Sequence, residues 1–256
     1  MMLIALEQVD FFYRAGQPVL EQVSLTLQAG EFVSIIGGNG SGKSTLARLM
    51  AGLQSPGRGR IRKGENVRVG IVFQHPDDQF ITTTVEDEIV FGMENIGLSR
   101  EEMHARLHEV LRAVEMEEYR QAQPHRLSGG QKQRAAIAAV LAMRPQMIIF
   151  DEATSMLDAQ GRQQMMYILQ ELRRQGVTLV QITHHMDEVL HAQRVLVLHQ
   201  GRVAFDGLPS EAFRTLPLAE YGLQQPFAAR VQQALGIETA IGPDWKELIR
   251  TQWHTD

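Results

Sequence analysis

The period of the apolar positions changes along this chain, and each change marks a different kind of element. Residues 3–13 and 19–27 read as short strands around the turn-like Ala15-Gly16-Gln17-Pro18. Residues 32–36 form a continuous apolar run instead, a buried strand that leads straight into a glycine-rich loop. A helix is predicted over 45–53, with Gly52 and Pro56 marking its end. Another buried strand covers 69–73 and stops at Gln74.

From 85 to 143 the spacing is helical, and Ser99-Arg100-Glu101-Glu102 fits a helix start whose serine caps the first turn. Strand-like runs return at 147–150, 177–183 and 194–198, with the helix-like segment 161–175 between the first two. Strands alternating with helices predict an α/β fold, a parallel sheet covered on both faces. The helical stretch then reads as a subdomain inserted between two parts of one sheet. Beyond Gly207 the strand pattern stops, leaving a tail that carries Pro209, Pro217, Pro226 and Pro243.

Composition narrows the function classes. With 44% apolar and 21% charged residues among 256, the chain has the make-up of a folded protein with a sizeable core. It has no cysteine, so disulfides and thiolate metal sites are excluded, in keeping with a reducing cytoplasm. The longest apolar stretch, 135–143, is far below the ~18 residues of a membrane span, and no signal-peptide pattern is present. Any work at a membrane therefore requires docking on another chain. A net charge of −5 without a long basic run argues against nucleic acid as a partner.

Candidate chemistry sits where strands end. Gly37-Gly38-Asn39-Gly40-Ser41-Gly42-Lys43-Ser44-Thr45 fits G-x-x-x-x-G-K-[ST] between a predicted strand and a helix, the context a phosphate loop requires. Glycines let successive N–H groups turn towards phosphate oxygens, and the helix N-terminus adds favourable partial charge. Lys43 would reach the outer phosphates and Ser44 would coordinate Mg2+. The apolar strand 147–150 delivers Asp151 to the metal's outer shell through water, and Glu152 to a position from which it can polarise the attacking water. Taken alone, two acids closing a strand are equally a structural feature. Leu127-Ser128-Gly129-Gly130-Gln131 precedes a credible helix, and by itself reads most simply as a capped helix start. The scattered histidines lack metal-ligand spacing.

Together these motifs resemble the ATP-binding cassette (ABC) family, over about residues 3–230. The resemblance implies a RecA-like parallel sheet core, an N-terminal antiparallel β subdomain, a helical subdomain at about 85–145, and a C-terminal extension, 208–256, after an ATPase domain of 1–207. It implies that Leu127 to Gln131 are the signature that binds the γ-phosphate of ATP held by an opposite subunit, so that catalysis belongs to a dimer. Gln74 is implied to sense Mg2+ and water and to face a membrane partner. His184 is implied to be the switch histidine, Asp158 part of the loop linking two composite sites, and Tyr13 the aromatic that stacks on adenine. A core position in a strand is the alternative for Tyr13.

The segment Phe73-Gln74-His75-Pro76-Asp77-Asp78-Gln79-Phe80, the loop Ala153-Thr154-Ser155-Met156-Leu157-Asp158 and the tail from Glu220 to Ala228 are similar to the ATPases of energy-coupling factor importers, first A type. That resemblance implies an ATP-hydrolysing A subunit paired with a second A subunit, or with a copy of itself, on the cytoplasmic face of the membrane. The pair would grip a transmembrane T subunit that serves a substrate-binding S subunit, which selects a vitamin or a metal ion. The alternatives are the ATPase of a binding-protein-dependent importer, against which Pro76-Asp77-Asp78-Gln79 and the tail argue, and a soluble cassette ATPase outside transport. The apolar tail residues Leu218, Tyr221, Leu223, Phe227, Val231, Leu235 and Ile237 are most simply buried against the partner A subunit, with packing onto this chain's own cassette as the alternative.

Overall fold

The computed structural model describes residues 1–14, 16–235 and 242. Alternating apolar residues of β1 (Met2–Arg14) and β2 (Gln17–Gln28) make an antiparallel pair, with Leu6 opposite Leu25 and Val9 opposite Val23. β3 (Phe32–Ile36) is buried along its whole length and runs into α1 (Lys43–Ala51). β4 (Arg58–Lys63) returns to pair with β1, completing a three-stranded sheet in the order β2-β1-β4.

β5 (Val69–Val72) precedes three helices, α2 (Val85–Asn95), α3 (Arg100–Ala113) and α4 (Gly129–Ala142). Ser99 caps α3 in a reciprocal box with Glu102, as the sequence predicts. β6 (Met147–Asp151), α5 (Ala159–Arg174), β7 (Thr178–Ile182), the short α6 (Met186–Val189) and β8 (Arg194–His199) follow. β9 (Arg202–Gly207), α7 (Pro209–Thr215) and α8 (Phe227–Leu235) close the described chain.

The second sheet has the order β5-β6-β7-β3-β8-β9. Its first five strands are parallel, the parallel core that the sequence predicts, and β9 adds an antiparallel edge beside β8. The order explains the site. β7 lies between β6 and β3, so the residues that follow β6, β7 and β3 emerge side by side at the carboxyl ends of the parallel strands, where open α/β sheets bind ligands. The three helices do not form a core of their own. Ile89, Leu111 and Ile137 share one buried cluster with Phe32, Phe150 and Leu169.

The tail divides between the two readings. Leu218, Leu223 and Ala228 are buried against this chain's own Ile36, Val189, Val197 and Phe213. Phe227 and Leu235 stay exposed, and Ile237 lies outside the described residues.

Candidate nucleotide-hydrolysis site

The phosphate loop is shaped by close backbone approach. A Cβ on Gly37 (φ +152°) would stand 2.2 Å from the Leu198 carbonyl oxygen, and one on Gly42 (φ +102°) would stand 2.6 Å from Leu20 Cδ2. Only glycine fits either position. Gly42 is the N-cap of α1 and offers no side-chain acceptor, so the first N–H groups of α1 remain directed at the loop. Asn39, Gly40, Ser41, Gly42, Lys43, Ser44, Thr45 and Glu152 line a cleft of ≈ 200 Å3.

Lys43 is buried and its Nζ donates to the carbonyls of Gly37 (2.9 Å) and Gly38 (3.1 Å). Burial pushes its pKa down, while Glu152 and Asp151 hold it up. Ser44 Oγ donates to Asp151 Oδ1 at 3.0 Å. Asp151 is only 6% exposed, and burial raises its pKa, opposed by the Ser44 hydrogen bond and aided by the charge of Glu152. The oxygen donors Ser44 and Asp151, side by side, are the hard ligands that Mg2+ prefers.

Glu152 adopts φ +55°, a left-handed conformation that costs a non-glycine residue on the order of 1 kcal/mol or more. Its N–H bonds the Ile182 carbonyl (3.0 Å), carrying the β6–β7 pairing one residue beyond the strands. Its Oε1 meets His184 Nε2 at 2.8 Å, so the two residues predicted to act in hydrolysis form one pair. Gln74 follows β5, next to β6. The loop beside it is pinned by Gln79 Oε1, which accepts from Phe73 N–H, and by Gln133 Nε2, which donates to the Phe73 carbonyl.

Glu188 was not singled out in the sequence, yet it holds this pair in place. Its Oε2 accepts from Thr154 Oγ1 (2.9 Å), Gln181 Nε2 (2.8 Å) and Thr183 Oγ1 (2.8 Å). Thr154 follows Glu152 by two residues and Thr183 precedes His184, so one buried carboxylate fixes both flanks. Burial raises its pKa, against hydrogen bonds from both threonines. The available signal was slight: Glu188 stands beside a second acid, Asp187, in a short turn flanked by Met186, Val189 and Leu190.

The signature residues lie elsewhere. Ser128 caps α4, its Oγ accepting from Gln131 N–H (3.3 Å) while Gln131 Oε1 accepts from Ser128 N–H (2.8 Å). Leu127 is buried beneath this cap. Ser128, Gly129, Gly130 and Gln131 line a separate cleft of ≈ 440 Å3 with Met156, Leu157 and Asp158, and it shares no residue with the phosphate-loop cleft. Asp158 Oδ1 caps α5 through Gly161 N–H at 2.7 Å. Tyr13 is 53% exposed, with its hydroxyl 3.2 Å from Thr45 Oγ1, so it is not the core residue of the alternative reading.

The family described as ABC transporter matches residues 20–155. The energy-coupling factor transporter ATP-binding protein EcfA1 of Geobacillus kaustophilus is 43% identical, over 98% of this chain and 96% of its own length. CbiO1 from Clostridium perfringens, described as part of the ABC transporter complex CbiONQ, superposes with a TM-score of 0.79 at 32% identity, covering 92% of this chain and 96% of that one. The ATP-binding cassette MJ0796, solved as a dimer bound to ADP and Pi, gives a TM-score of 0.73 at 30% identity, over 81% of this chain and 99% of its own. With the phosphate loop, the carboxylate pair and the histidine brought together at the carboxyl ends of neighbouring strands, this chain belongs to the ABC transporter family of ATP-binding and ATP-hydrolysing subunits.

Proposed function

We propose that this chain is the A subunit, of the first A type, of an energy-coupling factor importer. The observation that carries the reading is likeness to EcfA1 along 98% of the chain, C-terminal segment included. MJ0796, a cassette described without such a complex, matches 81%.

ATP enters with its phosphates on the loop, where the N–H groups of Gly40 to Thr45 and the N-terminus of α1 receive them. Lys43 exchanges the Gly37 and Gly38 carbonyls for phosphate oxygens. Ser44, Asp151 and Gln74 are the residues that would hold Mg2+, with Asp151 acting through water, and the ion when bound offsets the phosphate charge. Glu152 orients and polarises the attacking water, and His184 keeps the Glu152 carboxylate aimed by their 2.8 Å contact. Tyr13, beside α1, offers its ring to adenine.

Ser128, Gly129 and Gly130 act on the nucleotide of a second cassette subunit. Their cleft is separate from the phosphate loop within this chain, which supports a site completed across a dimer. Among the described residues no helix is long and apolar enough to cross a membrane, so translocation falls to the T and S subunits. An apolar groove lined by Phe80, Phe91, Ala136, Ala139 and Met143, reached through the loop after Gln74, supports docking of the T subunit on this side. The pair then works at the cytoplasmic face, powering uptake of a vitamin or metal ion chosen by the S subunit.

The test is co-expression of the tagged full chain with a second A subunit, a T subunit and an S subunit. Glu152→Gln should keep ATP binding while hydrolysis and uptake fall about 10^2- to 10^4-fold. Failure to co-purify with any T subunit would overturn the importer reading, and near-normal hydrolysis by Glu152→Gln would overturn the role of Glu152.

A further inference from the structure

The C-terminal segment touches the ATPase site at two places. The Tyr221 carbonyl oxygen lies 3.2 Å from where a Cβ on Gly38 would stand, and a Cβ on Gly222 (φ +68°) would stand 3.3 Å from Gly38 Cα. Backbone therefore lies on backbone at the second residue of the phosphate loop. The Tyr221 ring stands edge-on to His199, at the end of β8, with centroids 5.1 Å apart. The second contact is at α6. Asp187, three residues after His184, accepts from the N–H groups of Phe227 (Oδ2, 3.1 Å) and Ala228 (Oδ1, 3.1 Å), the first two residues of α8.

Both contacts rest on a shared apolar cluster. Leu218, Leu223 and Ala228 pack with Ile36, which leads into the phosphate loop, and with Met186 and Val189, which follow His184. α6 has only four residues and no side-chain cap; Glu188 ties one side of it to Thr154, Gln181 and Thr183, and the side facing α8 needs a separate anchor. The bond from Asp187 to a nine-residue helix supplies that anchor.

We propose that the segment from Leu218 to Ala228 is a positioning element of the ATPase site. Tyr221 and Gly222 brace the phosphate loop at Gly38, and the Asp187 cap of α8 holds the turn that carries His184. Neither Asp187 nor Gly222 touches the reacting atoms; each acts through a residue that does. The proposal rests on the ATPase reading of the site and not on the identity of the transporter.

The two contacts predict different kinetic signatures, read on the complex purified through the tagged full-length chain. Asp187→Ala removes both acceptors and loosens the histidine turn, so kcat should fall about tenfold while KM for ATP stays within about twofold. Asp187→Asn keeps one acceptor oxygen and should recover most of kcat, since asparagine caps helices about as well as aspartate. Gly222→Ala presses a methyl group onto Gly38, so the dissociation constant for ATP should rise about fivefold with kcat preserved. Wild-type kcat in Asp187→Ala, or wild-type ATP affinity in Gly222→Ala, would overturn the proposal, as would an Asp187→Asn variant no faster than Asp187→Ala. A complex that hydrolyses ATP but contains no T subunit would sink the importer reading and leave this test intact.

Discussion

Asp151 combines a proposed place at the Mg2+ site with a structural burden. Its pKa is raised above the ordinary 3.8, first by burial and then by Glu152, so the folded chain binds this proton more readily than the unfolded chain does. Its contribution to stability is therefore unfavourable above the native pKa, and it is relieved as pH falls through that value towards 3.8. Glu188 is shifted in the same direction and adds to the same slope. Asp151→Asn removes the burden while still accepting from Ser44. Without Mg2+ or ATP, its Tm near neutral pH should exceed that of the wild type, and its fall with rising pH should be shallower, although hydrolysis is lost. A neutral-pH Tm at or below the wild-type value would show that Asp151 is not destabilising in the fold. At this scale the sequence was highly legible, because glycine spacing and strand-ending acids are local signals. It did not show Lys43 turned onto its own loop or Glu188 joining Thr154 to Thr183, since both depend on chain segments meeting in space.

Helix α4 illustrates how an element can be legible while its role is not. Ser128 and Gln131 form a reciprocal capping box, and a capped helix start is what the residues alone announce. The cross-subunit role came from the family resemblance, and the separate clefts now support it physically. Ser128→Arg removes the cap, at a cost of about 1 kcal/mol, and places a bulky cation where the facing nucleotide would approach. The isolated variant should bind ATP as the wild type does, while the assembled complex loses hydrolysis at the site built on the partner's phosphate loop. Pairing mutant with wild-type halves locates the defect, and an equal loss of ATP affinity in the isolated chain would contradict the arrangement. Strands β4 and β9 escaped the sequence pattern for a related reason. β4 reads Arg-Gly-Arg-Ile-Arg-Lys, in which only Ile61 is apolar, so its place is set by pairing with β1 and not by burial. β9 likewise sits at a sheet edge, where its inward positions are only half-buried, so Val203 and Phe205 give the sequence little apolar signal.

Across the whole molecule, the order β6-β7-β3 turns scattered motifs into one site, and the C-terminal segment is built into the same body. The sequence showed apolar residues after Leu216 but not which surface they cover, because residues on segments this short carry no partner information. The inner set covers this chain: Leu218 and Leu223 are each 7% exposed and Ala228 is fully buried. The outer set does not: Phe227 is 50% exposed, with the Arg230 guanidinium 5.6 Å from its ring centre, and Leu235 is 42% exposed, and we propose that this face of α8 meets a partner cassette subunit. Truncation before Leu216 therefore removes core as well as interface. Burial of two leucines is worth about 3–6 kcal/mol, and at roughly 2–4 °C per kcal/mol for a chain of this size the monomer's Tm should drop by about 6–24 °C. Leu235→Asp alters only the outer face, so it should leave Tm nearly unchanged while weakening association with the second A subunit. Thermal unfolding and sedimentation of the two variants separate the roles. A truncated chain with wild-type Tm would mean that the segment is purely an interface. A Leu235→Asp chain that dimerises normally would mean that the outer face of α8 is not where the subunits meet.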